Sequence, residues 1–403
     1  MPLNALKNTQ KDFSLLLHIT GPDRPGITAM LTKHLAQAEA NMLTMGQYVT
    51  HGLLSLSILV KTKHSNSDLL KDILFDTKSM GLHCDFQIFE ENQSTPLART
   101  NPTHEEWALT IVDEKEISMG LLAEIAGYLA AEKINIYRID HPALESKLKV
   151  LEILVHIPNG STSERQSKLL SLGHKYNCDL SFVKNDIFRF HKRLIVFDMD
   201  STLTVGEVID ELAKLNGQEH AVGAITKRAM NGEIDFNDSL KQRVALLKGL
   251  PAAQIEKVKS EMIFSKGVRE VIATIKQLGM KTAVVSGGFK PFVEHVKKEL
   301  GLDYAFGNEL EIKDGIVTGI VTGRIIDSQA KAEILETLAQ AESIHLQQVV
   351  AVGDGSNDLK MLTKAGLGIA FHAKDVVKNH TASHLSFGPM TNLLTFLGLP
   401  QSI

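Results

Sequence analysis

The sequence predicts an α/β protein in which two small βαββαβ units precede a doubly wound parallel sheet with a helical cap inserted in it. Three observations predict this. A strand–helix–strand–strand–helix–strand pattern occurs twice in the first half. Three short apolar runs in the second half end in small or acidic residues and are separated by long helical patterns. A helix-rich stretch interrupts that second half directly after the first of these runs.

Composition narrows the class. The chain has 403 residues and a formal net charge of -4, with a pI near 6.5. Nothing in this balance points to a nucleic-acid or membrane-surface partner. Cys84 and Cys178 are far apart and outside any metal-ligand spacing, as ordinary thiols in a reducing compartment are. No apolar run approaches the ~20 residues that span a bilayer, and the first residues lack the apolar core of a signal peptide. The expectation is a soluble, cytoplasmic protein.

In the first unit, "DFSLLLHIT" reads as a strand and "GPDRPGITAMLTKHLAQAEA" as a turn leading into an amphipathic helix. "NMLTMGQYVT" and "LLSLSILVKT" are two strands joined at His51-Gly52, and the helix "SDLLKDILFDTKSMG" and strand "LHCDFQIFE" complete the unit. This order is the ferredoxin-like arrangement. After the polar linker "ENQSTPLARTNPTHEE" the order repeats, from "WALTIVD" to "CDLSFVKND". Gly26 and Gly120 each stand at a helix start, and Asn41 and Asn135 follow them at the same distance. The expected divisions are 1–92, a linker at 93–104, 105–186, and 187–403 with the cap at about 205–264. A chain beginning near Asp186 is expected to stay catalytic, provided the newly exposed interface does not make it aggregate.

In the second half, "RLIVFDMDST", "MKTAVVSGG" and "QQVVAVGDG" are β-rich runs. In a doubly wound sheet, ligands bind outside the carboxyl ends of the strands, and all three polar clusters fall there. A bare D-x-D is ordinarily a solvated turn. Here Asp198, Asp200, Asp354 and Asp358 would bring four carboxylates to one rim, where they repel one another unless a hard cation such as Mg²⁺ joins them. Ser286 adds a hydroxyl donor and Lys331 a positive charge. This inventory suits a phosphoryl group. No GxxxxGK[ST] loop is present to cradle a nucleotide, so a carboxylate nucleophile forming an aspartyl-phosphate is the economical chemistry.

Acid-x-acid, then Ser, then Lys, then Gly-Asp-x-x-x-Asp resembles the four motifs of the haloacid dehalogenase superfamily of phosphatases. Within it, Phe197 to Ala370 is similar to the phosphoserine phosphatase family through "FDMDSTLTVGEVIDELA", "ITKRAMNGEIDFNDSLKQRVALLKGL", "VVSGGF", "GLDYAFGNELEIKDGIVTG", "AKAEIL" and "VAVGDGSNDLKML". The resemblance implies Asp198 as nucleophile and Asp200 as general acid and base. It implies Mg²⁺ held by Asp198, the Asp200 backbone carbonyl and Asp354, with Asp358 supporting from behind. Ser286, the Gly287 backbone, Lys331 and Asn357 match phosphate-site residues. In the cap, Glu207 and Arg243 match the groups that bind the ammonium and carboxylate of phosphoserine, and Met230 and Phe236 match the apolar wall. The implied reaction is hydrolysis of O-phospho-L-serine to L-serine and phosphate, the last step of serine biosynthesis. The alternative is a related phosphatase or phosphotransferase acting on another small phosphomonoester, such as phosphohomoserine.

The βαββαβ pair resembles tandem ACT domains, which commonly bind amino acids at domain interfaces. "GPDRPGI" followed by "NMLTMG" is the better match, and it makes Asp23, Gly26 and Asn41 a candidate regulatory site for serine. The second copy keeps Gly120 and Asn135 but lacks the D-R-P-G signature. The expected assembly is a homodimer through these units. The segment "NELEIKDGIVTGIV" reads as a hairpin turning at Asp314-Gly315, an edge flap to which no chemistry is assigned.

Overall fold

The computed structural model describes residues 13–62, 67–90, 104–141, 148–158 and 162–399. The chain divides into two compact units, Met1–Pro102 and Thr103–Ile403. The expected linker at 93–104 lies outside the described residues except for His104. Among the described residues no helix is long and apolar enough to cross a membrane.

The first unit contains β1 (Phe13–Pro22), α1 (Ile27–Gln37), β2 (Asn41–Thr50), β3 (Leu53–Thr62), α2 (Ser67–Ser79) and β4 (His83–Glu90), with strand order β2-β3-β1-β4. Alternate residues of β1, Leu15, Leu17 and Ile19, are buried in one core with Ile27, Leu31 and Leu35 of α1. Period two thus meets a helical i, i+4, i+8 stripe. His51 and Gly52 both take positive φ, 51° and 74°, as a two-residue hairpin turn requires.

The candidate regulatory residues do not come together in this unit. Asn41 is level with Lys61, and Lys61 with Ser14, so Asn41 lies beside the start of β1. Asp23 and Gly26 follow the end of β1, and Asp23 N–H donates to Gly52 C=O (2.8 Å). Roughly 25 Å of strand separates the two ends. Asp23 and Gly26 therefore do not form a pocket with Asn41 within one unit.

The second unit opens with β5 (His104–Asp113), α3 (Met119–Ala131), β6 (Ile136–Asp140), β7 (Lys149–Pro158), α4 (Ser163–Tyr176) and β8 (Asp179–Lys184). Their order, β8-β5-β7-β6, reproduces β4-β1-β3-β2, so the repeat is topological. The copy does not stand alone, however. It continues into one eleven-stranded sheet, β12-β11-β10-β9-β13-β14-β15-β8-β5-β7-β6. The remaining strands are β9 (Leu194–Phe197), β10 (Lys281–Phe289), β11 (Tyr304–Lys313), β12 (Ile316–Thr322), β13 (Val349–Gly353), β14 (Leu367–Phe371) and β15 (Ser383–Leu385). The run from β11 to β15 is parallel, and β9, β13 and β14 are buried along their whole length, as two-sided parallel strands are.

The junction is short but heavily tied. Ser383 faces Ser181 and His384 faces Leu180 across β15 and β8. The Ser181 and Ser383 hydroxyls lie 2.6 Å apart. The buried Asp179 carboxylate accepts from the N–H groups of Ser386 (2.6 Å), Phe387 (3.0 Å) and Gly388 (3.1 Å). Buried Arg189, just beyond β8, donates to Thr110 Oγ1 (3.3 Å) and pairs with Glu152.

The junction also carries an acid-sensitive group. Burial pushes His384 down to about 4 from 6.5, with its Nε2–H on the Lys378 carbonyl (2.8 Å). A histidine with a lower pKa in the folded chain binds protons more readily when unfolded. Its contribution is therefore complete above about pH 6.5 and is lost as pH falls toward 4, about 3 kcal/mol in all. Thermal melts at pH 7 and pH 5 should show a smaller acid loss for His384→Gln than for the parent chain. Equal losses would place the acid sensitivity elsewhere.

The helical insert comprises α5 (Val208–Leu215), α6 (Glu219–Met230), α7 (Phe236–Ala245) and α8 (Ala253–Glu261). It leaves and rejoins the sheet through a narrow neck. Thr204 bridges Phe264, and Val205 N–H donates to Ile263 C=O (2.8 Å). Beyond it come α9 (Val268–Gln277), α10 (Lys290–Leu300), α11 (Ser328–Ala341) and α12 (Leu359–Lys364). The hairpin β11–β12 turns at Asp314-Gly315 as expected, with φ of 52° and 76°. It also anchors the insert, since Gly249 N–H donates to Val317 C=O (2.9 Å) and Ala252 N–H to Gly315 C=O (2.8 Å).

Candidate active site

Strand β9 lies between β10 and β13, so the sheet order changes direction at its carboxyl end and opens a crevice there. Asp198 follows β9 directly, and its N–H donates to Val352 C=O (2.9 Å), which continues the pairing with β13 by one residue. The chain then makes one tight turn, Met199–Leu203, with Ser201 in the left-handed region at φ 56°. That turn directs Asp200 back toward the insert. Its Oδ1 accepts from Val208 N–H (2.9 Å) at the start of α5, and its Oδ2 from Ser286 Oγ (3.3 Å).

Lys331, on α11, is fully buried. Its ammonium donates to Asp198 Oδ1 and to Asp358 Oδ1, each at 2.6 Å. The other Asp358 oxygen accepts from Gly355 N–H (3.0 Å). Asp354 follows β13 and accepts from Thr202 Oγ1 (3.4 Å). Asp198, Asp354 and Asp358 each present an oxygen within 4.8 Å of the others.

Burial, then the Asp358 charge, holds the Asp198 carboxyl well above the ordinary range. Burial and Glu207 raise Asp200 to about 7. Burial and Asp358 raise Asp354 to about 7. Burial alone would lower Lys331, but the charges of Asp198 and Asp358 outweigh it and hold the ammonium above its usual value. The crevice thus has more carboxylate than one ammonium can balance. An all-oxygen set of this kind fits a hard divalent cation such as Mg²⁺.

The phosphate-type loop follows the same logic. Gly288 N–H donates to Ser286 Oγ (2.7 Å), which fixes the hydroxyl. A Cβ on Gly287 would lie 2.8 Å from the tip of the Phe236 ring, so a larger residue would push that ring of the insert away from the loop. A Cβ on Gly353 would lie 2.6 Å from the Asp358 carboxyl, which fixes the second conspicuous glycine. Asn357 is half-buried in the turn beside Asp358.

On the insert, Glu207 precedes α5 and Arg243 lies in α7. Glu207 is open to solvent at the cleft wall, yet the protein around it and Asp210 raise its carboxyl. Burial lowers Arg243, while Glu207 and Asp210 oppose that. No ion pair within 4.0 Å joins the two among the described residues, and Arg243 Nε is buried without a hydrogen-bond partner. Met230 ends α6, but its side chain lies outside the described residues.

Three further groups shape the site. Thr202 was visible inside the first motif without a role of its own. Asn308 on β11 is buried, donates to Gly287 C=O (2.8 Å) and accepts from Ile326 N–H (2.8 Å). It stitches the loop at Ser286 to the segment leading into α11. Asn237 on α7 donates to Asp327 (3.4 Å), the N-cap of α11. A lone asparagine in a strand or helix carries no sequence signal for such a bridge.

Residues 192–366 match the haloacid dehalogenase-like hydrolase family, and residues 14–87 match the ACT domain. A phosphoserine phosphatase of Mycobacterium tuberculosis is 38% identical over 395 residues, covering 96% of this chain and 94% of that protein. One from Streptomyces coelicolor is 37% identical over 393 residues, covering 96% and 93%. The unliganded crystal structure of a probable phosphoserine phosphatase from Vibrio cholerae aligns with a TM-score of 0.55 at 30% identity, over 73% of this chain and 86% of that one. With coverage of this extent, the chain belongs to the phosphoserine phosphatase family of haloacid dehalogenase-like hydrolases and carries an ACT domain ahead of the hydrolase domain.

Proposed function

We propose that the chain hydrolyses O-phospho-L-serine to L-serine and phosphate through an aspartyl-phosphate on Asp198, with Mg²⁺. The observation that carries this reading is the pairing of buried Lys331 with Asp198 and Asp358 beneath a cleft wall where Glu207 and Arg243 make no ion pair with each other. A phosphate fits against the ammonium, the Ser286 hydroxyl and the Gly287 backbone. The substrate's ammonium and carboxylate fit Glu207 and Arg243.

An Asp198 oxygen attacks phosphorus while the bond to the serine oxygen breaks. Asp200, raised to about 7, carries a proton near neutral pH and gives it to the leaving oxygen. Asp200 then takes a proton from water as that water attacks phosphorus, and the bond to Asp198 breaks. Bound to Asp198, Asp354 and the Asp200 carbonyl, Mg²⁺ would offset the charge of the carboxylates and of the phosphoryl oxygens. Asp358 and Thr202 hold Lys331 and Asp354 in place. The test is phosphate release from phosphoserine, phosphohomoserine and an aryl phosphate, with Mg²⁺ and with chelator. Preference for another ester, or full activity in chelator, would overturn the corresponding part.

Arg243→Ala should lower kcat/KM for phosphoserine by an amount equivalent to about 2–5 kcal/mol, the usual result of stranding one member of a desolvated charge pair. The aryl phosphate, which lacks a carboxylate, should lose much less. Equal losses would assign Arg243 to the fold or the chemistry. The ACT domain supports control by an amino acid, and serine is the proposed ligand. Because Gly26 and Asn41 of one unit lie at opposite ends of its sheet, a site that used both would need a second copy of the chain. Serine inhibition that survives Asn41→Ala undiminished would count against it.

A further inference from the structure

Besides its neck and the hairpin, the insert has a third hold on the rest of its unit. Helix α7 begins at Phe236, with the Asp235 carboxylate accepting from Asp238 N–H (2.8 Å). Its far end leads to the tie between Gly249 and Val317, and a Cβ on Gly319 of β12 would lie 3.2 Å from Ala245 C=O. Its near end sits on the rim of the active site. There the Phe236 ring lies against Gly287, and the next residue, Asn237, donates from Nδ2 to Asp327 Oδ2 (3.4 Å). Asn237 Oδ1 is buried without a partner, so among the described residues this bond is the amide's one polar tie.

Asp327 serves two helices at once. Its Oδ1 accepts from Ala330 N–H (2.9 Å), which caps α11, and its C=O accepts from Lys331 N–H (2.9 Å). The Ala330 bond holds the carboxyl below its usual range, so it is an anion at neutral pH and a strong acceptor for an amide. One residue thus sets the turn that presents Lys331 and receives α7 of the insert. Arg243 lies farther along α7, roughly 9 Å from Asn237 along the helix axis. The seating of the start of α7 therefore governs where that guanidinium stands relative to the Lys331 ammonium.

We propose that Asn237 is a positioning residue: its bond to Asp327 latches the start of α7 onto the rim and sets the spacing between Arg243, for the substrate's carboxylate, and Lys331, for its phosphate. The proposal rests on the phosphoserine reading above. A substrate that engages both cations needs that spacing, whereas an aryl phosphate, which lacks a carboxylate, uses Lys331 without Arg243.

Two measurements on the full chain test it. The first is steady-state kinetics of Asn237→Ala, of Asp327→Ser and of the two together. Serine keeps a capping oxygen for α11 but is too short to reach Asn237. Each single change should lower kcat/KM for phosphoserine about 5- to 10-fold, and the double change should cost no more than either. The aryl phosphate should lose less than about twofold. Asn237→Asp sets two carboxylates against each other and should lose more than Asn237→Ala. Adding Asp327→Asn exchanges donor and acceptor and should recover most of the activity. Additive losses, an equal loss on the aryl phosphate, or no recovery in the exchanged pair would overturn the latch. The second measurement needs no substrate. In the unliganded chain, Asn237→Ala should speed amide hydrogen exchange over Ser239–Arg243 about fivefold or more, and unchanged exchange would also overturn the latch. Faster exchange in the variant of a parent chain that ignores phosphoserine would support the latch and defeat the substrate assignment.

Discussion

Asp198→Asn should reduce phosphate release by about 10⁴-fold or more, the scale seen when a covalent nucleophile is removed. The amide is nearly isosteric, and its oxygen can still accept from Lys331, which also keeps its bond to Asp358. The melting temperature should therefore change little, because no buried charge is left without a partner. What is lost is the anionic oxygen that attacks phosphorus. Beryllium fluoride should form an adduct with the parent chain in the presence of Mg²⁺ and not with the variant. Turnover within tenfold of the parent would end the covalent mechanism.

Two truncations should behave very differently. A chain beginning at Thr103 keeps the whole eleven-stranded sheet, so its melting temperature and basal phosphate release should stay close to those of the full chain. A chain beginning near residue 187 loses β8 and with it the partner of β15. The N–H groups of Ser386, Phe387 and Gly388 lose their hydrogen bonds to the Asp179 carboxylate, each worth about 1.5–3 kcal/mol as a bond to a charged group. For a domain of this size that corresponds to a melting temperature roughly 10 °C lower or more, with a new sheet edge that invites aggregation. The condition attached to the chain from about Asp186, that the exposed interface not make it aggregate, thus falls on the edge of β15. Equal melting temperatures for the two fragments would show that the junction contributes little.

What could be read from the sequence depended on the range over which each signal acts. The β9, β10 and β13 runs and the residues at their ends are local features. Parallel strands must be apolar on both faces, and polar clusters just beyond them have few other places to lie. The repeat was legible because strand and helix periods persist where identity fades. The merging of the sheets was not. It depends on the three residues of β15 meeting a strand some two hundred positions earlier, and Asp179 looks like any acid that opens a strand. The Gly26–Asn41 spacing marks the repeat but not a shared pocket, for a physical reason. An eleven-residue helix carries the chain back along the sheet, so residues flanking it end up far apart. Asn308 lies in a stretch that carries the family resemblance, but its role was not legible, because a polar residue bonded to two backbone groups is distinguished by those partners alone.

The shared sheet also governs how such a gene can be rearranged. Among the described residues no strand ladder joins the sheet of the first unit to that of the second, so a recombination joint between Pro102 and Thr103 would let the first module be exchanged, duplicated or deleted as a cassette. A joint near residue 186 would separate two modules that have given up their own sheet borders to each other. Only a newcomer ending in a strand able to lie against Ser383 and His384, with a carboxylate where Asp179 stands, could take that place. The second module is thus a structural part of the sheet that carries the active site, while the first forms a sheet of its own.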